Sequence, residues 1–259
     1  MAEMPAPIFL LAGGRAAAVR KGPDPILQTV FGQAVFRRTG VQSPTVAYVG
    51  AASGDDSSFR LMIASRFQEA GSGKVTLAPL CGRRGDAEKA KAVIEASDLV
   101  FISGGDVDEG MRVLKEKGMI GVLQRLYRAG KPFFGTSAGS IMLARRWIRW
   151  TDPDDDAISE LFDCLGFASV LCDTHGESEG WEELQALLAL SPTGAIGHGI
   201  ASGTAIVVKP EGTVSALGGE VHRSQKRAGG VAQIESLFPA ESPISPDIPR
   251  LKTNQRRHL

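Results

Sequence analysis

The sequence alternates short apolar runs with stretches of helical periodicity, and no other feature restricts the fold as strongly. The runs carry few charges and are followed by glycine or polar residues, which is typical of strands buried on both faces of a parallel sheet. The predicted strands cover residues 8–12, 45–51, 75–80, 99–103, 132–136 and 169–173, and residues 204–208 and 213–217 form a β-hairpin at the sheet edge. The predicted helices cover residues 26–38, 59–70, 86–96, 109–117, 120–129, 138–146 and 160–165, and a last helix begins near residue 181.

Strands and helices in this order predict an α/β protein. We expect a three-layer sandwich in which helices cover both faces of a mostly parallel sheet. The 259 residues suit one large domain, which we place at residues 1–238. Residues 239–259 carry several prolines and little periodicity, so they are expected to form a loosely packed tail. Ligands of such sheets bind beyond the carboxyl ends of the strands, and the active site is expected there.

Charge and cysteine content argue against several classes of function. The chain has 29 basic and 29 acidic residues dispersed along its length, which predicts no binding to nucleic acid. Three cysteines without metal-ligand spacing predict reduced structural thiols, and neither a metal nor an organic cofactor is expected. The N-terminus has no basic leader, and no apolar run reaches the roughly 18 residues of a membrane helix, which predicts a cytoplasmic protein without membrane contact. The oligomeric state stays open, a homodimer included.

The segment Gly135-Thr136-Ser137-Ala138-Gly139 joins a predicted strand to a predicted helix and matches the G-x-S-x-G nucleophile elbow. A serine at the tip of so sharp a turn sits in strained backbone. Glycine on either side removes the Cβ atoms that would collide with strand, helix or substrate. Because the helix begins at the serine, its free N–H groups and the positive end of its dipole point toward an oxyanion formed there. We therefore predict that Ser137 is a catalytic nucleophile.

A serine nucleophile needs a base, and the base needs an orienting acid. Of the four histidines, His175 follows a predicted strand and so lies at the carboxyl edge of the sheet, which favours it as the base. The others are His198 in a glycine-rich loop, His222 after the hairpin and His258 in the tail. The chain order Ser, Asp, His favours Asp152 as the acid. Spacing leaves five further carboxylates open: Asp154, Asp155, Asp156, Glu177 and Glu179.

Four segments make the chain resemble peptidase family S51, which includes dipeptidase E and cyanophycinase. They are Phe-Ile-Ser-Gly-Gly-Asp at residues 101–106, the elbow, Cys-Asp-Thr-His at residues 172–175, and the glycine-containing segment at residues 199–206. The resemblance implies a class I glutamine amidotransferase-like fold with serine in the position usually held by cysteine. It also implies that Ser137 is the nucleophile, that His175 is the base, and that the backbone N–H groups of Gly105 and Ala138 form the oxyanion hole.

The third catalytic residue separates the two subfamilies. Cyanophycinases carry a glutamate in the segment that matches residues 199–206, where this chain has Ser202. Dipeptidase E has an aspartate soon after the serine and before a proline-containing turn, and Asp152 followed by Pro153 is similar. The resemblance therefore implies a serine peptidase, of dipeptidase or exopeptidase type, that hydrolyses short peptides through an acyl-enzyme with Asp152 as the third residue.

Two other functions stay open. One is a cyanophycinase-like hydrolase of β-linked or modified peptides. The other is a relative that only binds a small amino compound, which the replacement at Ser202 favours. For the substrate site, Asp106 and Glu177 are the predicted binding residues, because together with Asp173 and Glu179 they would make the rim acidic and attract a free amino terminus or a basic side chain.

Overall fold

Thirteen strands are found in the described part of the computed structural model, which covers residues 4–13, 24–151 and 159–240. In chain order they are β1 (Ile8–Leu11), β2 (Val46–Val49), β3 (Val75–Ala78), β4 (Leu99–Ile102), β5 (Phe133–Thr136), β6 (Arg146–Trp150), β7 (Ser159–Asp163), β8 (Leu171–Thr174), β9 (Ile196–Ile200), β10 (Ala205–Val208), β11 (Val214–Leu217), β12 (Val221–Arg227) and β13 (Gly230–Leu237).

The helices of the described residues alternate with the first strands, as the sequence pattern predicts. They are α1 (Pro25–Phe31), α2 (Ser57–Glu69), α3 (Ala87–Ala96), α4 (Val107–Glu116), α5 (Met119–Arg128), α6 (Ala138–Leu143) and α7 (Glu182–Ala189). Helix α1 continues through a π-helical stretch, Gly32–Phe36, and ends after Arg37–Thr39 at Gly40, whose φ of 67° stops the helix. Aspartates cap α1, α2, α3 and α4 at their N-termini.

The central sheet has seven strands in the order β11-β10-β1-β5-β4-β2-β3. The five strands from β1 to β3 are parallel, and the predicted hairpin β10–β11 adds an antiparallel edge beside β1. The carboxyl ends of β1, β5 and β4 are therefore neighbours. This places the elbow after β5 between Gly13 and Gly104, which follow the other two strands.

Both faces of the central sheet are buried, which confirms the predicted three-layer sandwich. Alternate residues of one strand face opposite cores: Leu10 packs with helices α3 to α6, and Phe9 with α1 and α2. The second core is largely aromatic, with Phe31, Phe67 and Phe134 in mutual edge or tilted contact. The strands are continuous apolar runs in the sequence because their side chains are buried on both faces of the sheet.

A second sheet, in the order β13-β12-β9-β8, was not predicted as a separate layer. The predicted strand 169–173 corresponds to β8, which pairs in parallel with β9 and packs against the core of the central sheet through Cys172. His198, expected in a loop, lies buried on β9. Glycine on both sides of His198 hides the strand signal, because glycine has low β-propensity. Here Gly197 and Gly199 make room for Leu184 and Trp181.

The predicted helix at residues 160–165 is wrong. Residues Ser159–Asp163 form strand β7, antiparallel to β6. Helix α6 ends at Leu143 instead of residue 146, because the chain turns there and enters β6. Strand pairing thus overrides a helical spacing of apolar residues that is too short to decide the structure by itself.

The predicted C-terminal tail is described only at Pro239 and Ala240, which follow β13 without regular structure; residues 241–259 lie outside the described part of the chain. The boundary at residue 238 agrees with the end of β13 and stays a prediction. None of the helices in the described ranges is long and apolar enough to cross a membrane.

Candidate active site

Ser137 occupies the turn between β5 and α6 with φ 52° and ψ −127°, a backbone conformation that glycine favours. Its N–H donates to the carbonyl oxygen of Leu11 on β1 at 2.9 Å, and its own carbonyl oxygen accepts the N–H of Ser140 at 2.8 Å. The Ser140 hydroxyl also donates to Leu11 O, at 2.8 Å. These bonds to a neighbouring strand hold the serine in its strained conformation.

Three glycines allow the turn to pack tightly. A Cβ on Gly135 would lie 2.5 Å from the Gly139 carbonyl carbon, and a Cβ on Gly139 would lie 2.1 Å from the carbonyl oxygen of Ile102 on β4. Real Cβ atoms never come so close, so α6 can lie on the sheet only with glycine at both positions. Gly104, after β4, approaches Ser137 in the same way, since its Cβ would be 3.1 Å from the serine Cβ.

The two backbone N–H groups predicted to form the oxyanion hole are free to bind an oxyanion. In the described part of the chain neither Gly105 N–H nor Ala138 N–H has a hydrogen-bond partner. Ala138 is the first residue of α6, where the amide has no intrahelical acceptor and the helix dipole is positive. Gly105 has φ 140°, and a Cβ there would lie 2.0 Å from Ala52 O, so this position also requires glycine.

His175 follows β8 in a left-handed conformation, with φ 69°. Its N–H donates to Ile200 O at the end of β9, at 3.2 Å. The ring atom Nδ1 lies 3.0 Å from the hydroxyl oxygen of Ser202, which leaves Nε2 as the nitrogen available to Ser137. Glu177 accepts the backbone N–H of Ser202 at 3.1 Å.

A cleft of about 310 Å³ is lined by both Ser137 and His175. No hydrogen bond joins their side chains in the described structure, and such bonds often tighten only when substrate binds. The far wall of the cleft, formed by α1, α2 and β4, is apolar: Leu27, Phe59, Met62, Ile63, Phe67 and Phe101. Two charged side chains, Asp24 and Arg66, also line it.

A second cleft, of about 380 Å³, meets the first at Gly105 and Ser137 and is more polar. Asp106, Ala138 and Arg149 line it, together with Asp173 and Glu183. Asp173 is buried; burial, followed by the charge of Glu183, raises the pKa of its carboxyl to about 7. Burial also raises the pKa of Glu183. Neither carboxyl has an ion-pair partner among the described residues, and two such carboxyls near each other favour a cationic partner.

The structure thus brings together Ser137, His175 and Gly105 in one cleft and Asp106 and Ala138 in the adjoining one. Asp106 caps α4 by accepting the N–H of Glu109. Glu177 accepts the backbone N–H of Ser202, the residue whose hydroxyl contacts His175. The predicted acid Asp152 lies outside the described residues, as do the alternatives Asp154, Asp155 and Asp156. That assignment stays a prediction.

The sequence pattern did not reveal the contact between Ser202 and His175. The position was noticed only because it lacks the glutamate of cyanophycinases, and a serine in a glycine-containing segment carries no signal of its own. Its pairing with the histidine depends on β8 and β9 being neighbours, with Thr174 opposite Ile200.

The cysteines of the chain are free thiols, as predicted. Burial raises the pKa of all three, that of Cys81 to about 11, so none is an activated thiolate. Within the described ranges, no group of three His, Cys, Asp or Glu side chains is placed to hold a metal ion.

The structure is an α/β sandwich with a serine at the sharp turn that follows the central strand β5. The chain belongs to Peptidase family S51, whose family model matches residues 24–215. It is therefore a member of a family of peptidases.

Two solved structures share the fold. A peptidase from an acI-B1 Actinobacterium superposes with a TM-score of 0.65, covering 92% of this chain and 98% of its own, at 17% sequence identity. A peptidase E candidate from Listeria monocytogenes EGD-e gives a TM-score of 0.55, covering 82% and 98%, at 14% identity. At these identities the likeness concerns the fold alone.

Curated relatives match over shorter segments. Pyridoxal 5'-phosphate synthase subunit PdxT of Geobacillus sp. (strain WCH70) is 34% identical over 73 residues, which are 28% of this chain and 38% of that protein. PdxT of Geobacillus stearothermophilus is 26% identical over 114 residues, 44% and 53% of the two chains. The chain spans about half the length, or less, of these relatives.

Proposed function

We propose that this protein is a serine peptidase that hydrolyses short peptides through an acyl-enzyme. One observation carries the proposal: Ser137 is held at a positive φ in a cleft that it shares with His175 and Gly105, and the amides of Gly105 and Ala138 have no hydrogen-bond partner in the described part of the chain. Strained backbone at a half-buried serine has to be maintained by its surroundings, and such strain is concentrated at functional sites.

The proposed reaction begins when Ser137 Oγ attacks the peptide carbonyl carbon and passes its proton to His175 Nε2. The carbonyl oxygen, now negative, accepts hydrogen bonds from the N–H groups of Gly105 and Ala138. When the C–N bond breaks, His175 returns the proton to the leaving amine. Water then attacks the ester with His175 again as the base, releasing the acid and the free serine.

Substrate preference follows from the two clefts. The carboxyls of Asp173 and Glu183 in the polar cleft support binding of a free amino terminus or a basic side chain, in agreement with an exopeptidase or dipeptidase. The apolar wall of the first cleft supports an apolar residue on the other side of the bond that is cut. Cleavage of Asp-X dipeptides above all others would contradict this preference.

The experiment that tests the function combines a dipeptide and tripeptide library with a fluorophosphonate probe. The wild-type enzyme should cleave members of the library and bind the probe covalently. Ser137→Ala should lose turnover by about a thousandfold or more while folding normally, because one hydroxyl at a cleft contributes little to stability. His175→Ala should behave alike, and the double variant should be scarcely worse than either single one.

A Ser137→Ala variant with full turnover would refute the nucleophile. A wild-type protein that binds peptides but reacts neither with them nor with the probe would instead indicate the binding-only alternative. Release of products from β-linked dipeptides alone would favour the cyanophycinase-like one.

A further inference from the structure

We infer that Ser202, held by Glu177, positions the ring of His175 so that Nε2 faces the nucleophile. The inference rests on the proposed function. It assigns to described residues the orienting role that the family resemblance gives to Asp152.

Ser202 contacts Nδ1 of His175, the ring nitrogen that is not used if Nε2 acts as the base. Ser202 Oγ lies 3.0 Å from His175 Nδ1, within normal hydrogen-bond distance. A base that uses Nε2 needs its proton on Nδ1, and that proton needs an acceptor. A hydroxyl oxygen has lone pairs for this bond, and it can donate its own hydrogen elsewhere at the same time.

Glu177 holds the backbone of Ser202 beside His175. It accepts the backbone N–H of Ser202 at 3.1 Å. Burial raises the pKa of Glu177, but its hydrogen bonding to Ser202 and the nearby His175 outweigh burial, so the pKa of Glu177 is lowered. An ionised carboxylate can only accept. Because a base that acts through Nε2 carries its proton on Nδ1, the Ser202 hydroxyl in this arrangement accepts that proton's hydrogen bond.

The backbone fixes both partners independently of these side chains. His175 directly follows β8, and Ser202 comes two residues after the end of β9, the parallel neighbour of β8. His175 N–H donates to Ile200 O at 3.2 Å. Ser202 therefore contacts Glu177 through its backbone N–H and His175 through its hydroxyl.

The test compares Ser202→Ala, Ser202→Thr and Glu177→Gln with the wild-type protein. Removing the hydroxyl should lower kcat about 100-fold with little change in KM, because the ring loses its preferred tautomer while substrate contacts remain. Threonine keeps the hydroxyl and should restore most of kcat. Glu177→Gln should have an intermediate kcat, since an amide can still accept from Ser202 but carries no charge. Matched controls are Ser178→Ala and Glu182→Gln, which change exposed side chains on the same stretch and should leave kcat unaltered.

Nitrogen-15 NMR of the histidine rings supplies a readout that does not depend on turnover, with His175→Gln used for assignment. The neutral His175 ring should carry its proton on Nδ1 in the wild-type protein and become a tautomer mixture in Ser202→Ala. Wild-type spectra and kcat in Ser202→Ala would overturn the inference. So would a tautomer change in Asp152→Asn alone. A Ser137→Ala variant that keeps its turnover would refute the proposed function, and the ring spectra would still report whether Ser202 holds His175.

Discussion

Ser137 combines a reactive position with an unfavourable backbone conformation. Its φ of 52° and ψ of −127° lie where a side chain is strained, at a cost of about 1–3 kcal/mol. The hydrogen bond from its N–H to Leu11 O and the packing of α6 on β4 and β5 maintain the conformation. In the proposed function this position therefore serves the reaction at the expense of stability.

Replacing the serine with glycine should stabilise the protein while abolishing turnover. Glycine adopts this conformation without strain, so Ser137→Gly is expected to raise the free energy of unfolding by about 1 kcal/mol relative to Ser137→Ala, which keeps the Cβ. Urea unfolding of the two inactive variants measures the difference. A glycine variant no more stable than the alanine variant would show that the turn is not strained.

At the scale of secondary-structure elements, the site depends on how closely α6 approaches the sheet. Gly135 and Gly139 leave no Cβ between the helix and strands β4 and β5. This contact sets the position of the first amide of α6, which is one half of the proposed oxyanion hole. Packing and chemistry therefore depend on the same two residues.

Gly139→Ala should disrupt both the packing of α6 on the sheet and the catalytic turnover. The new methyl group would lie 2.1 Å from Ile102 O and push α6 away from the sheet, lowering the free energy of unfolding by about 1–3 kcal/mol and reducing kcat. The matched control is Gly121→Ala in α5, where no atom lies within 4 Å of the added Cβ. It should raise stability by about 1 kcal/mol, because alanine is the better helix former, and leave kcat unchanged. Equal effects on stability in the two variants would contradict this account of the elbow.

At the scale of the whole molecule, the site is assembled from two sheets. The central sheet supplies Ser137 and the oxyanion amides, and the four-stranded sheet supplies His175 and Ser202. The sheets are held together by a shared apolar core, in which Cys172 and Ile200 of the second sheet pack with α6 and its neighbours. Correct placement of His175, the proposed base, therefore requires both sheets.

One buried group at this junction should make stability depend on pH. Unfolded, the Asp173 carboxyl has a pKa near its ordinary value of 3.8, whereas in the folded protein burial and Glu183 raise its pKa to about 7. As pH rises from about 4 to about 7, the unfolded chain loses this proton while the folded one keeps it, so the free energy of unfolding falls. Below pH 4 both states are protonated and the effect vanishes.

Asp173→Asn should remove this part of the pH dependence. The amide keeps an acceptor for Thr174 N–H, which now donates to Asp173 Oδ1 at 2.6 Å, and it has no proton to lose. At pH 8 the variant is expected to be more stable than the wild type by on the order of 3 kcal/mol, with the difference disappearing near pH 4. Urea unfolding across this range provides the measurement, and parallel curves for the two proteins would contradict the assignment.

Local patterns were enough to predict much of this protein. The apolar runs and the hairpin signal identified every strand of the central sheet, because the inner strands are buried on both faces and their environment shows in their own residues. The elbow was predicted from five consecutive residues, since the sharp turn from strand to helix requires small residues beside the serine wherever the neighbouring strands lie. His175 was found because it directly follows a strand.

Only the tertiary structure decided how these pieces meet. Strand β7 forms because it pairs with β6. Strand β9 forms despite its two glycines because Trp181 and Leu184 fill the space above them. Ser202 meets His175 across 27 residues of chain because two parallel strands end side by side. The physical reason is the same in each case: these residues interact with partners distant in sequence, and a pattern read along the chain contains no information about which strands will be neighbours.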